Sequence, residues 1–224
     1  MCYSVESSVK TTAISLFAII YLLTSNIPYF QWIGITLIGW CGMQFAELLL
    51  WLTDPRKGCT MSNKILTMTL IPLVLILQPL GSLFGSLYVI PWNKSSDLRK
   101  NFIKFYSLVI ILGMLYVHCY QPEKMCTTVT NNGHLYWNTH IDNNATPIKR
   151  SYFYWLVIIL LPIIIFWNKN YLLIALTLIM PTVGFITGWW TDARGSIWCH
   201  YTSYTSIFAS VFLFLHQSGI YKFV

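Results

Sequence analysis

Trp40-Cys41-Gly42-Met43-Gln44-Phe45-Ala46-Glu47-Leu48-Leu49-Leu50-Trp51-Leu52-Thr53-Asp54-Pro55-Arg56-Lys57 closes a long apolar segment and carries an acid, Glu47, inside it. Trp40, Gln44, Glu47, Trp51 and Asp54 stand at steps of four, three, four and three. On a helix that spacing gathers them on one face, away from Leu48, Leu49 and Leu50. A carboxylate at membrane depth is costly unless it is paired, neutralised or wetted. The face is therefore expected to point into the protein and not into lipid, in a chain that crosses the membrane several times.

Composition agrees with that reading. Of 224 residues, 56% are hydrophobic, 17% aromatic and only 9% charged, against about 25% charged in a typical soluble domain. The net charge of +7 would suggest nucleic acid in a soluble protein. Here the Lys and Arg residues sit in loops beside apolar spans, where they orient the chain and meet anionic head groups. The expected partner is the lipid bilayer, with a small solute or ion and a second copy of the chain as further candidates and no nucleic acid. No cofactor is expected. Met1 to Lys10 is polar and the apolar run after it lacks a small-residue cleavage site, so the first span is expected to stay in the protein.

Outward from the opening stretch, the apolar runs predict an all-α bundle of seven transmembrane helices forming one domain over residues 1–224. The spans are placed at about 11–28, 31–52, 64–90, 102–120, 151–167, 171–190 and 197–216, each near the roughly 20 residues needed to cross. The third is long enough to tilt, or to break at Pro72 or Pro79, and Pro162 interrupts the fifth. The longest loop, about 121–150, contains Thr127-Thr128-Val129-Thr130-Asn131-Asn132-Gly133-His134-Leu135-Tyr136-Trp137, which predicts a short β-hairpin turning at Asn132-Gly133.

An odd number of spans puts Lys10, Arg56, Lys57, Lys64, Lys124, Lys149, Arg150 and Arg194 on the N-terminal side, and Lys94, Arg99, Lys100, Lys104, Lys169 and Lys222 on the other. So even a division does not decide the orientation by the positive-inside rule. Cysteines speak more clearly. Cys2, Cys59, Cys126 and Cys199, with Cys119 at a helix end, all map to the N-terminal side, and thiols gathered on one face suggest an oxidising compartment. These four are the disulfide candidates, and Asn144 in Asn144-Ala145-Thr146 is the glycosylation candidate on the same side. The N-terminus is accordingly expected outside the cell or in a lumen, and the C-terminus in the cytosol.

A four-residue element recurs. Trp51-Leu52-Thr53-Asp54-Pro55-Arg56 ends the second span and Trp189-Trp190-Thr191-Asp192-Ala193-Arg194 ends the sixth. Read as a repeat, spans one to three correspond to five to seven, with the fourth as linker. That three-plus-one-plus-three plan resembles the architecture of the sugar-efflux (SWEET) and PQ-loop transporters, whose parallel repeats bind substrate at their interface. The Pro-Gln dipeptide of the latter is missing, since Gln78-Pro79 has the reverse order. The plainer account is that Thr and Asp satisfy backbone at two helix ends while Arg meets head groups. Small residues four apart, Gly81 with Gly85, Ser82 with Ser86 and Gly184 with Gly188, read as close helix contacts.

Polar residues converge on the outer half. Glu47, His118 and His200 lie near the outer ends of their spans, and Ser196, His200, Ser203, Ser206 and Ser210 share a face of the seventh. A lipid-facing helix would not tolerate that face, so it lines a cavity or packs centrally. Three accounts compete. Glu47 is a protonatable gate in a solute or cation pathway lined by Gln44, Gln78, His118, His200 and Ser203, with Asp54, Asp192 and Arg194 as further pathway candidates. Alternatively, Glu47, His118, His200 and Asp192 form a metal or acid/base site of a membrane hydrolase or transferase. Or the groups are a satisfied network that fixes helix register.

The enzyme account lacks any His-x-x-x-His, His-Glu-x-x-His or Cys-x-x-Cys spacing. The His-x-x-x-His pair on the last helix of the alkaline ceramidase group is absent too. Retinal proteins need a lysine in the last span, and rhodopsin-like receptors carry Asp-Arg-Tyr and Asn-Pro-x-x-Tyr, none of which is present.

The start Met1-Cys2-Tyr3-Ser4, with Glu6 behind it and Gln44-x-x-Glu47-x-x-x-Trp51 later, resembles a group of uncharacterised small polytopic proteins of protists and large DNA viruses. That resemblance implies no activity, and makes Cys2 a candidate for a lumenal disulfide. The sequence thus favours a transporter- or channel-like protein. Its rival is a structural or assembly protein of a membrane, a viral one included, that uses loop 121–150 as a partner surface anchored by Tyr136 and Trp137.

Overall fold

A computed structural model describes residues 3–119, 126–137, 155–161, 171–191 and 193–222, with backbone alone at 116–119 and 171–176. Its helices are α1 (Val5–Leu23), α2 (Pro28–Leu52), α3 (Met61–Val89), α4 (Asp97–Cys119), α5 (155–161), α6 (Tyr171–Trp189) and α7 (Arg194–Gln217). The two short strands are β1 (Thr128–Val129) and β2 (Leu135–Tyr136). Three of the described helices, α1, α2 and α3, are long and apolar enough to cross a membrane, and they fit a membrane-embedded protein. The apolar stretch Thr177–Trp189 of α6 is shorter. The stretch expected as the seventh span forms α7, which is long enough but less apolar than those three, and most of the expected fifth lies outside the described residues.

Helix ends follow local chemistry more than hydropathy. The first helix starts at Val5 rather than near residue 11, because Ser4 caps it by accepting from the Ser7 N–H at 3.2 Å. Glu6 then pairs with Lys10 one turn on, at 2.6 Å. Pro28 opens α2 at a position where its missing N–H costs nothing. The side chain of Thr60 caps α3 by accepting from the Asn63 N–H. The expected break of α3 does not occur, and the helix runs through both Pro72 and Pro79.

α2 is the hub. It packs against α1, α3 and α7, while α6 packs on α7 and α4 on α3. Trp32, Leu37, Trp40, Met43 and Leu50 of α2 are completely buried. The α2–α3 contact is backbone on backbone. A Cβ added at Gly39 would fall 2.2 Å from the Leu77 carbonyl oxygen, and one at Gly85 would fall 2.9 Å from that of Trp32. Without a hydrophobic drive between helices in lipid, such close approach is what makes the contact favourable. Gly184 does the same for α6 against Tyr201 and Trp198 of α7. At the C-terminal end of α3, Arg99 caps the helix by donating to the carbonyls of Ser86 and Ile90, at 2.8 and 3.4 Å. The Tyr106 hydroxyl ties α4 to α5 through the Ile158 carbonyl, at 2.6 Å.

The hairpin forms as its turn residues predict. Thr128 pairs with Tyr136 and Val129 with Leu135, and Gly133 takes the left-handed conformation, φ 78°. It docks on the N-terminal end of the bundle. Cys59, in the α2–α3 turn, is disulfide-bonded to Cys126. Beside the bridge, Asn63 of α3 reads the Thr127 peptide like a neighbouring strand. Its Oδ1 accepts from the Thr127 N–H at 2.9 Å and its Nδ2 donates to the Thr127 carbonyl at 3.0 Å. On the far side Trp137 is completely buried over Gly195, where a Cβ would lie 2.0 Å from the indole.

Two cysteine expectations change or fall outside. Cys199 forms no disulfide among the described residues: its thiol is buried in the second turn of α7. Cys2 lies outside the described residues. The Thr-Asp-x-Arg element closes α2 and α6 alike at its threonines. Thr53 and Thr191 each donate their hydroxyl to the carbonyl three residues back, Leu50 at 2.6 Å and Gly188 at 3.0 Å, which ends each helix in the same way. The arginines then part company. Arg56 is exposed and stands 5.6 Å over the Trp51 ring, whereas Arg194 is buried as the first residue of α7.

Candidate functional site

Gln44 sets the register of three helices. Its Oε1 accepts from the Ser15 hydroxyl of α1 at 3.1 Å, and its Nε2 donates to the Cys199 carbonyl of α7 at 3.0 Å. That carbonyl also accepts from Thr202. Gln44 is therefore a structural tie as well as a polar lining group. Nothing in the primary pattern singled out Ser15. Its face is nonetheless legible, since Ser8, Thr11 and Ser15 stand three and four apart and all three are buried.

Glu47 lies one turn from this tie, towards the hairpin end of the bundle, and is completely buried. The sequence expectation that its face turns inward is met at Trp40, Gln44 and Glu47, each without exposed surface, and nearly so at Trp51. It fails at Asp54. α2 ends at Leu52, and Asp54 sits in the following turn with φ 52°, its carboxylate 2.8 Å from Lys57 and half exposed. A surface ion pair there is worth little, so Asp54 lies outside the interior.

Towards the N-terminus of α2 from Gln44, Gly39 touches the backbone of Leu77 and Gln78 of α3. Trp198 of α7 packs on Trp40 with ring centres 5.7 Å apart, and Trp155 of α5 packs on Trp198 at 4.8 Å. Among the described residues, both amide atoms of Gln78, the Ser82 hydroxyl one turn on, the indole N–H groups of Trp40 and Trp198 and the Thr205 hydroxyl are buried without a hydrogen-bond partner. Thr205 lines, with Tyr29 and Thr177, a cavity of about 10 Å³. The Tyr29 and Thr177 hydroxyls bond each other.

The polar face of α7 is mostly satisfied within its own helix. Ser203 donates to the His200 carbonyl at 2.7 Å, Ser206 to that of Ser203 and Ser210 to that of Ser206. This is how a hydroxyl-rich helix is tolerated in an apolar setting. His200 is half-buried between Tyr201 and Tyr204, both 5.2 Å away, and its Nδ1 has no partner. Arg194 is buried at the outer end. The side chains of His118, Asp192 and Asn144 lie outside the described residues. Among the described residues no three His, Cys, Asp or Glu side chains come together as a metal site would require.

No protein-family model, curated protein or solved structure matches the chain.

At the hairpin the two aromatic residues expected to anchor a partner are not both exposed. Trp137 is buried and Tyr136 half-buried, so the indole is spent on Gly195 and is not presented outward. His134 is buried at the hairpin turn, its ring 4.2 Å from that of Tyr3, with Nδ1 unpartnered. Burial disfavours its charged form and pulls it down from 6.5 to about 4.

Proposed function

We propose that the chain is a transporter- or channel-like membrane protein that moves a small polar solute, proton or cation through an interior centred on Glu47. The observation that carries this reading is the carboxylate of Glu47, fully buried on the helix at the hub of the bundle. Ionisable groups at that depth are expensive, and they are kept where charge or polar cargo is bound or moved. Further buried polar groups lie in the bundle, at Gln44 and Trp40 on the same face of α2, at Gln78 and Ser82 of α3 and at Thr205 of α7. A register-fixing network alone would be expected to satisfy its members, as Gln44 is satisfied; the orphaned groups speak for a passage.

In this reading seven helices cross the membrane, and the end that bears Tyr3, the hairpin and the Cys59–Cys126 bridge faces the extracellular or lumenal side, where disulfides persist. The test is flux in proteoliposomes across a pH range, wild type beside Glu47→Gln. Loss of flux in a well-folded Glu47→Gln variant is the expected result. Unchanged flux would overturn the role of Glu47.

A further inference from the structure

The end of the bundle away from the hairpin carries positive charge that the fold leaves without acid partners. We propose that the junction of α3 and α4 binds an anionic phospholipid through its headgroup phosphate. This site is separate from Glu47 and stands whether or not the chain transports anything.

The length of α3 sets the depth of the junction. Asn63, in the first turn of that helix, bonds Thr127 of the hairpin segment, and the helix runs on to Val89. Its 29 residues extend about 43 Å at 1.5 Å each, close to the thickness of a bilayer with both headgroup layers, about 40–45 Å. With the hairpin end at one headgroup layer, the chain that follows Val89 falls in the other. That chain is a single turn of 3-10 helix, Trp92–Lys94, and then the start of α4 at Asp97.

The two ends use their charges differently. At the hairpin end Lys10 pairs with Glu6 at 2.6 Å and Lys57 with Asp54 at 2.8 Å, Arg56 stands over Trp51, and Arg194 is buried. At the junction Lys94, Arg99, Lys100 and Lys104 surround a single acid, Asp97. Arg99 donates to the carbonyls that end α3. Lys100 lies 3.6 Å from Asp97, a surface pair that contributes little. Lys94 and Lys104 are exposed and have no acid partner among the described residues.

These two lysines meet at one ring. Lys104 Nζ stands 6.0 Å from the centre of the Trp92 indole, within reach of a cation–π attraction, and Lys94 belongs to the same short turn as Trp92. The indole is exposed, as tryptophans are at a membrane interface. Two ammonium groups and an indole N–H are donors without acceptor capacity, the set that a phosphate oxygen takes up. The source of that phosphate follows from the apolar flank. Phe84 and Tyr88 of α3 and Phe105 of α4, on the adjoining turns, are exposed and offer contact to acyl chains, which a soluble phosphate does not have. Anionic lipids populate the cytoplasmic leaflet, the side to which the orientation proposed above assigns this end.

The test is native mass spectrometry of the full chain in detergent, with phosphatidylserine and phosphatidylcholine offered at equal concentration. Wild type is expected to retain phosphatidylserine in preference. Lys94→Gln and Lys104→Gln should each weaken that binding about fivefold, and together about twenty-five-fold. Asp97→Asn, which removes the junction's acid, should strengthen it. Arg56→Gln with Lys64→Gln, the same loss of charge at the hairpin end, should leave it unchanged. All of these side chains are at least partly exposed, and thermal unfolding checks that each variant folds. Equal retention of the two lipids by wild type overturns the proposal, and so does a preference that survives in the double variant. Equal weakening by the hairpin-end pair would make the effect one of net charge and overturns it too. Displacement of the lipid by millimolar inorganic phosphate would assign the patch to a soluble anion, with the same consequence. None of these outcomes bears on the flux experiment, so the two readings fail separately.

Discussion

Removing the side chain of Asn63 should release the hairpin from the bundle while the disulfide stays intact. All four hydrogen-bonding positions of that amide are in use. Its Nδ2 donates to the Thr127 carbonyl at 3.0 Å and to Thr53 Oγ1 at 3.1 Å, and its Oδ1 accepts from the Thr127 N–H at 2.9 Å and from Thr67 Oγ1 at 3.3 Å. In Asn63→Ala the Thr127 N–H keeps a second acceptor, Thr67 Oγ1 at 3.1 Å, but the Thr127 carbonyl loses this donor. The two bonds to Thr127 are the ones that hold the hairpin, and at roughly 0.6–1 kcal/mol net each they give a loss of about 1.5 kcal/mol. Undocking of residues 126–137 is a local opening, so the loss should appear as hydrogen exchange there about tenfold faster, before any change in the helices. Asn63→Asp, of the same shape, should do worse at neutral pH, because a carboxylate cannot donate to the Thr127 carbonyl and sets oxygen against oxygen. Amide exchange by mass spectrometry on detergent-solubilised, oxidised protein reads both. Protection of residues 126–137 unchanged in Asn63→Ala would refute the claim that this amide holds the hairpin.

Three further outcomes follow from the same end of the molecule. Replacing Cys59 or Cys126 by Ser opens a link between positions 67 residues apart; in the chain-entropy account this costs about 4 kcal/mol, measurable as a lowered unfolding temperature that reductant reproduces in wild type and not in the variant. Gly195→Ala should expel Trp137, since the new Cβ would lie 2.0 Å from its ring, and red-shifted tryptophan emission would report it. His134 is held neutral by burial, with a folded value near 4 against 6.5 when free. The unfolded chain therefore binds the extra proton between those values, and stability, complete above about 6.5, should fall as pH drops towards 4. Thermal unfolding against pH should show that slope in wild type and a flatter one in His134→Gln.

What could be read from the residues alone was whatever depends on local pattern. Apolar runs of membrane length, a hairpin turn at Asn132-Gly133, small residues four apart and the inward face of Trp40, Gln44 and Glu47 are all short-range signals, because helix and hairpin periodicities repeat within a few residues. Helix ends were misread where polar capping outran hydropathy, as at Ser4, and Asp54 was assigned to a face that the helix had already left. Tertiary structure decided the rest. The six cysteines leave their pairing open, and it is the docking of residues 126–127 on α3 that brings Cys126 to Cys59 and leaves Cys199 buried in α7. In the same way Ser15 meets Gln44 across 29 residues, Gln44 meets Cys199 across 155, and Trp40 meets Trp198. Hydrogen bonds and ring contacts act over a few ångströms, and only the packing of the helices determines which distant residues come within that reach.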